Sequence, residues 1–344
     1  MATGTDRFDR YYSELFTDRW PLLAAAMRQS GRYTELTRGL VRPYYLDPAS
    51  VAVAELLPLG GAREVVDLCA APGGKALVLA GRLFGEQTGP TETSGPPRFV
   101  VNERSNRRRR RLIRVLDDHL DPALRDRIAV YGHDAAQWGI HRPASADAVL
   151  ADVPCSSEAH VLTDPGELHQ WNPRRIRRNA AAQHAILASA IDTARPGGYI
   201  LYATCALTPE ENDDVVGWAL DRRRERVEIV ALAPSEPAPR PPGDTSPGAG
   251  QIPGASPPGP GQIPGAPPPG AGQSSGPSTP GPGHPPGASP PGPGRPPGAP
   301  LPLGGTEQSA VILAAADRTT YGLHILPDRT AGAGPLYCAL LRRT

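Results

Sequence analysis

Four cysteines stand in the 344 residues: Cys69, Cys155, Cys205 and Cys338. Two of them follow short apolar runs. Ala151-Asp152-Val153-Pro154-Cys155-Ser156-Ser157 closes one run, and Tyr202-Ala203-Thr204-Cys205-Ala206-Leu207 closes another. A thiol suits nucleophilic attack near neutral pH, because a useful fraction is thiolate and nearby positive charge enlarges it. A single cysteine is more often a small buried core residue. Two at the ends of separate apolar runs, one of them near an Asp, favour chemistry. A third stretch, Asp67-Leu68-Cys69-Ala70-Ala71-Pro72-Gly73-Gly74-Lys75, places glycines where backbone amides can approach a ligand closely. It is not a GxGxxG pattern, and a tight connection between two elements explains a Gly-rich turn equally well. Lys75 is the single lysine among 36 basic residues. It marks a place that uses a compact ammonium, unless its position is chance. Glu103 and Asp134 each follow a further apolar run. Such acids can accept hydrogen bonds from ribose hydroxyls or an adenine amino group. Taken singly, each is explained as well by a solvated loop carboxylate.

These groups need a frame, and the hydrophobic pattern supplies one. Residues 64–68, 98–102, 128–131, 146–151 and 198–202 read as buried strands. Residues 75–83, 106–120 and 173–194 read as helices between them. Alternating strands and helices imply a mostly parallel α/β sheet with helices on both faces. Such sheets bind ligands beyond the carboxyl ends of their strands, where all the motifs above fall.

Composition divides the chain. Residues 1–45, with FDRYYSELFTDRWPLLAAAM, read as a separate helical extension whose aromatics serve core packing or an RNA-facing surface. Residues 46–233 form the α/β core. Residues 234–305 are Pro, Gly, Ala and Ser with little else, and hold five eleven-residue units starting at Gly250, Gly261, Gly272, Gly283 and Gly294. That period is not a Gly-X-Y triplet, and so little apolar bulk reads as a disordered insertion. Residues 306–344 are too few to fold alone. Their strand candidates, 321–326 and 336–341, are expected to pair as a hairpin and complete the core sheet. The net charge is +1. No signal peptide, membrane span or CxxC pair is read, so a cytoplasmic protein without metal or membrane contact is expected.

DLCAAPGGK, ADVPCSS and YATCAL, in this order, resemble the signature of the Sun family of RNA cytosine-C5 methyltransferases. The resemblance covers about residues 46–220 and is close at PGGYILYATCALTPEEN. FDRYYSELFTDRWP and HDAAQW more narrowly resemble the family's mitochondrial ribosomal-RNA member. The resemblance implies a Rossmann-like class I fold with S-adenosylmethionine as cofactor. It implies that Cys69, Ala70, Ala71, Pro72, Gly73, Gly74 and Lys75 hold the cofactor's methionine and ribose portions. Glu103 then meets the ribose, Arg108 is a basic cofactor contact, and Asp134 lies at the adenine. Asp152 belongs to both cofactor and catalytic sets, Cys205 is the nucleophile, and Cys155 helps release product. Glu103 stands where many relatives have Asp, and Ala206 where they usually have Ser. Nothing resembles the family's PUA-type or NusB-like additions.

The implied reaction is attack of Cys205 on C6 of cytosine in RNA, expected to be small-subunit rRNA, with Asp152 at N3. DNA cytosine enzymes instead use the cysteine of the PC motif, so the Thr-Cys context favours RNA. A tRNA cytosine enzyme and a non-catalytic ribosome-assembly factor are the alternatives; the intact cysteine pair counts against the second. A monomer with ribosomal-subunit or assembly-factor contacts is expected. The arginines at 104, 107–111, 114, 174, 175, 177 and 178 fit an RNA backbone or a solvated helix face equally well. Trp171 fits base stacking or core packing.

Overall fold

A computed structural model describes residues 3–29, 31, 33–85, 96–233, 301–302 and 305–344. The Pro/Gly repeat expected at 234–305 therefore lies, apart from residues 301, 302 and 305, outside the described residues. Two helices open the chain, α1 (Gly4–Phe16) and α2 (Trp20–Arg28). A short antiparallel ribbon, β1 (Thr34–Leu36) with β2 (Tyr44–Leu46), leads into α3 (Pro48–Glu55). Then come β3 (Glu64–Asp67), α4 (Gly74–Gly85), β4 (Arg98–Asn102), α5 (Asn106–His119), α6 (Pro122–Arg125) and β5 (Ile128–Tyr131). They are followed by α7 (Trp138–His141), β6 (Ala146–Asp152), α8 (Glu158–Thr163), α9 (Pro165–Gln170), α10 (Arg174–Thr193) and β7 (Ala194–Thr204). The remaining elements are α11 (Asp213–Arg222), β8 (Val227–Ile229), β9 (Leu232–Ala233), β10 (Leu301–Pro302), α12 (Glu307–Ala314), β11 (Asp317–Arg318), β12 (Leu323–Ile325) and β13 (Leu336–Arg343).

Among the described residues, nine strands form the main sheet in the order β11-β12-β13-β7-β6-β3-β4-β5, with β8 also on β13. Neighbours from β7 to β5 are parallel, whereas β13 runs antiparallel to β7, β8 and β12. The parallel strands are apolar runs because both of their faces are covered. Side chains alternate between two layers. Val65, Phe99, Val101, Leu150 and Leu201 pack with Leu77 and Leu79 of α4 and Leu112 and Leu116 of α5. Val66, Val100, Val149, Ile200 and Tyr202 pack with Leu187 and Ala190 of α10 and Val216 of α11. One turn apart, Leu112 and Leu116 point inward, which leaves Arg107, Arg110, Arg111 and Arg114 exposed.

The N-terminal helices, read from sequence as a separate extension, pack into the same body. Phe8, Tyr12, Trp20 and Leu23 are buried with Val161 and Leu162 of α8, Trp171 and Ile176. Trp171 is 2% exposed and meets the Phe8 ring edge-on at 5.2 Å, so it is a core residue and not a base-stacking surface. Its anchoring of α1 explains the burial. Residues 234–300, outside the described residues, fall in sequence between β9 and β10, which pair in parallel. Among the described residues, no helix is long and apolar enough to cross a membrane.

Candidate active site

Parallel neighbours put the carboxyl ends of β3 to β7 on one edge, and each end carries one motif. After β3 the chain turns sharply. The Cys69 amide donates to Asp67 Oδ1 at 3.2 Å and the Ala70 amide to the Asn102 carbonyl at 2.9 Å. Gly73 has φ +123°, a conformation L side chains rarely adopt, and a Cβ there would come within 2.9 Å of Val115 Cγ1. A Cβ at Gly74 would lie 2.6 Å from Leu46 Cδ1. Gly73 is thus required by its backbone conformation and by the approach of α5, whereas a side chain at Gly74 would have to displace the end of Leu46 of β2. Lys75, in the first turn of α4, places Nζ 2.9 Å from Asp152 Oδ2 and 3.3 Å from Ser50 Oγ. Burial opposes its charge, but Asp152 outweighs burial and holds its pKa above the ordinary lysine value. Asp67 is 1% exposed. Burial, reinforced by the Asp152 charge, pushes it up to about 8.

The ends of β4 and β5 carry the acids. Glu103 Oε1 accepts from the Ser105 amide at 2.8 Å, and Oε2 lies 3.4 Å from Arg108 Nη1. Arg108 Nη2 also donates to the Ala71 carbonyl at 2.7 Å. Of the 107–111 run, then, Arg108 is the residue bridging the turn and the acid, while Arg109 folds back on the Glu103 carbonyl at 2.9 Å. Asp134 caps the next turn through the Ala136 amide at 3.1 Å and pairs with Arg104 at 3.2 Å. Leu68, Cys69, Glu103, Asp134 and Pro154 surround a cavity of about 250 Å³. It offers apolar walls and two carboxylates, which fits a purine nucleoside.

A second cavity, of about 460 Å³, contains Lys75, Asp152, Ser157, His160 and Cys205. The end of β6 serves both cavities, Asp152 this one and Pro154 the other. Cys155 Sγ lies 2.8 Å from Cys205 Sγ, and Ser157 Oγ lies 3.2 Å from the same sulfur. The Cys155 hydrogen bond lowers the Cys205 pKa below the ordinary thiol value against the effect of burial. The same bond holds Cys155 well above it. Burial raises Cys69 as well, and takes Cys338 to about 12. Of the four thiols, Cys205 alone is made the better nucleophile.

Residues 54–246, more than half of the chain, match the family described as 16S rRNA methyltransferase RsmB/F. The chain belongs to this family. Ribosomal RNA small subunit methyltransferase F of Escherichia coli O9:H4 (strain HS) is 33% identical over 198 residues, 57% of this chain and 38% of that protein. Its counterpart in Shigella boydii serotype 18 is 32% identical over 209 residues, covering 60% and 39%. The match thus spans under half the length of these RsmB/F relatives. A methyltransferase homolog protein from Pyrococcus horikoshii superposes with a TM-score of 0.53 at 16% identity, over 98% of this chain and 94% of that one. That likeness shows the shared Rossmann-like class I fold.

Every site residue read from sequence lies at this one edge, but not in one cavity. Glu103, Asp134 and Cys69 belong to the smaller, and Lys75, Asp152 and Cys205 to the larger. Sequence reading missed Asn102. Fully buried, it donates to the Leu68 and His133 carbonyls at 3.0 and 3.1 Å and accepts from the His133 amide at 2.9 Å. It ties three strand ends together, and its signal was an amide closing an otherwise apolar run. Asp67 was quoted as the start of the turn and given no role. Its burial next to Lys75 and Asp152 makes it part of the same charge cluster.

Proposed function

We propose that the protein transfers a methyl group from S-adenosylmethionine to C5 of a cytosine in RNA, with small-subunit rRNA as the substrate. The observation that carries this is the Cys205 thiol, lowered by Cys155 and set in a cavity with Asp152 and Lys75. The residues of the smaller cavity and the turn beside it suit the cofactor: Glu103 for ribose hydroxyls and Asp134 for the adenine amino group within the cavity, and Arg108 with the Cys69–Lys75 turn, which leads toward the larger cavity, for the methionine end. When bound there, the cofactor supplies the electrophilic methyl group.

In this reading Cys205 Sγ forms a bond to C6, and the ring electrons move toward C5 and N3. Lys75 takes Oδ2 of Asp152, and Oδ1 remains for the N3 edge of the ring, where N3 takes up a proton as the electrons arrive. Once C5 carries the methyl group, its proton leaves, the C6–sulfur bond breaks, and Cys155 assists the departure of Cys205. Lys75 also lines the cavity that holds Cys205 and supplies a positive charge that interacts with the thiolate. The reduced state of all four cysteines suits a cytoplasmic setting.

Bisulfite sequencing of total RNA from cells lacking the gene tests this directly. One rRNA cytosine mark should vanish, return with the wild-type gene, and stay absent with Cys205→Ala. A lost mark in tRNA would retain the mechanism and refute the substrate. No lost mark in any RNA would refute both.

A further inference from the structure

The two thiols sit on different loops, 50 residues apart in sequence, and something must hold their sulfurs in contact. The backbone contributes the β6–β7 ladder as far as Asp152 and Ala203, the Val153 amide on the Ala203 carbonyl at 2.9 Å, and the Cys205 amide on Cys155 Sγ at 3.3 Å. Beyond these, Ser157 Oγ reaches Cys205 Sγ at 3.2 Å, and Glu158 touches both Ser156 and the Leu207 amide. The residues flanking the two cysteines are held by two adjacent residues that the proposed reaction does not use. Asn212 Oδ1 accepts from Thr204 Oγ1 at 2.6 Å, and its Nδ2 donates to the Ala206 carbonyl at 3.0 Å. The Ala206 amide in turn donates to Thr204 Oγ1 at 3.1 Å. Asn212 therefore grips Cys205 from both flanking residues.

Glu211, the residue before it, grips the other loop. Its Oε1 accepts from the Ser156 amide at 3.1 Å and from Gln183 Nε2 at 2.8 Å, and its Oε2 meets Ser156 Oγ. Ser156 directly follows Cys155. The Glu211 carbonyl also accepts from Tyr202 at 2.7 Å, which anchors the pair to β7. Ser156 Oγ touches Glu158 as well, and one hydroxyl proton cannot serve two carboxylates. A proton on one of the two carboxyls would satisfy all three groups. Glu158 further accepts from Tyr12 at 2.6 Å and from the Leu207 amide at 3.1 Å. Thr204, Ser156, Glu158, Glu211 and Asn212 are all at most 3% exposed, so water does not compete for these bonds.

We propose that Glu211 and Asn212 are positioning residues that set the separation between the Cys155 and Cys205 thiols. One peptide bond joins the residue gripping one loop to the residue gripping the other, so the loops cannot part without breaking this bracket. The purpose assigned to the thiols rests on the methyltransferase reading, but the spacing does not.

The test joins the thiols chemically in the full-length protein. Diamide takes one hydrogen from each of two thiols, forms the disulfide and is itself reduced to a hydrazine. Peptide mass mapping without reductant gives the rate at which Cys155 and Cys205 are joined. In Asn212→Ala that rate should fall about tenfold, and kcat on RNA about a hundredfold with KM little changed, as expected of a reacting atom misplaced by about 1 Å. Glu211→Gln keeps the volume but turns an amide toward a donor, and should slow joining by a smaller factor. Should Asn212→Ala fail to fold, Glu211→Gln decides by the same criterion. A wild-type joining rate in the variants would overturn the proposal, even with a lowered Tm, because stability alone would then explain the bracket. Slower joining upholds it even if the wild type methylates no RNA, in which case only the reading of the reaction fails.

Discussion

The ends of β4 and β5 and the ends of β6 and β7 share one sheet edge, yet they are built on opposite plans. On the first side the carboxylates keep capacity in reserve. Glu103 has one oxygen on a backbone amide and the other 3.4 Å from a half-exposed arginine, and the Asp134 side chain is 38% exposed. On the second side the buried polar groups Ser156, Glu158, Glu211 and Asn212 are spent on one another and on the backbone, and Asp152 and Ser157 are left to face the cavity. A group that recognises a ligand by hydrogen bonds needs free lone pairs when the ligand arrives. A sulfur that must form a bond at one ring carbon needs a fixed place. In the proposed reaction the edge is left open where it would bind and braced where it would react.

That contrast can be broken at several points. The largest effect is expected at Cys155→Ala. Turnover should fall about a hundredfold, within the range for loss of a proton-handling group, while the RNA stays attached to Cys205. A denaturing gel with labelled RNA shows the attached species; its absence would remove Cys155 from product release. Next is Lys75→Met, which strands the Asp152 carboxylate. It should cost about 2 kcal/mol in a denaturant titration, less than for a fully buried pair because the Asp152 side chain retains 29% exposure. Glu103→Ala should weaken S-adenosylmethionine binding about tenfold by calorimetry with little loss of Tm. A fall in Tm as large as that of Asn212→Ala would mean the acid side is braced too.

The smallest effect is in the pH dependence of stability. Burial, with Asp152 beside it, raises Asp67 to about 8, and burial with Glu158 raises Glu211 to about 7. Both bind a proton more tightly folded than unfolded. Their contribution is complete below the ordinary values of 3.8 and 4.5 and is lost as pH rises, the loss ending near 7 for Glu211 and near 8 for Asp67. Scanning calorimetry should show Tm declining with pH over that window, and Asp67→Asn should flatten the decline. An unchanged slope in the variant would mean that Asp67 is already ionised.

The five parallel strands and three long helices were legible because each is long enough to display its period and ends at a turn. The short helices were not. Six of the eight residues of α3 are buried, so it has no polar face to betray it, although Asp47-Pro48 is a helix start. With six residues each, α8 and α9 are too short for a period. The chemistry-bearing residues were legible as types at strand ends. What orients them was not, since Ser156 and Glu211 are 55 positions apart and their contact exists only after β6 and β7 have paired.

The parallel pairing of Leu232 with Leu301 and of Ala233 with Pro302 closes the chain on itself at the point where the repeat-bearing stretch departs and returns. The free energy of closing such a loop grows only with the logarithm of its length. Gain or loss of one eleven-residue unit changes it by about 0.1 kcal/mol. Selection acting on fold stability is therefore blind to the number of copies.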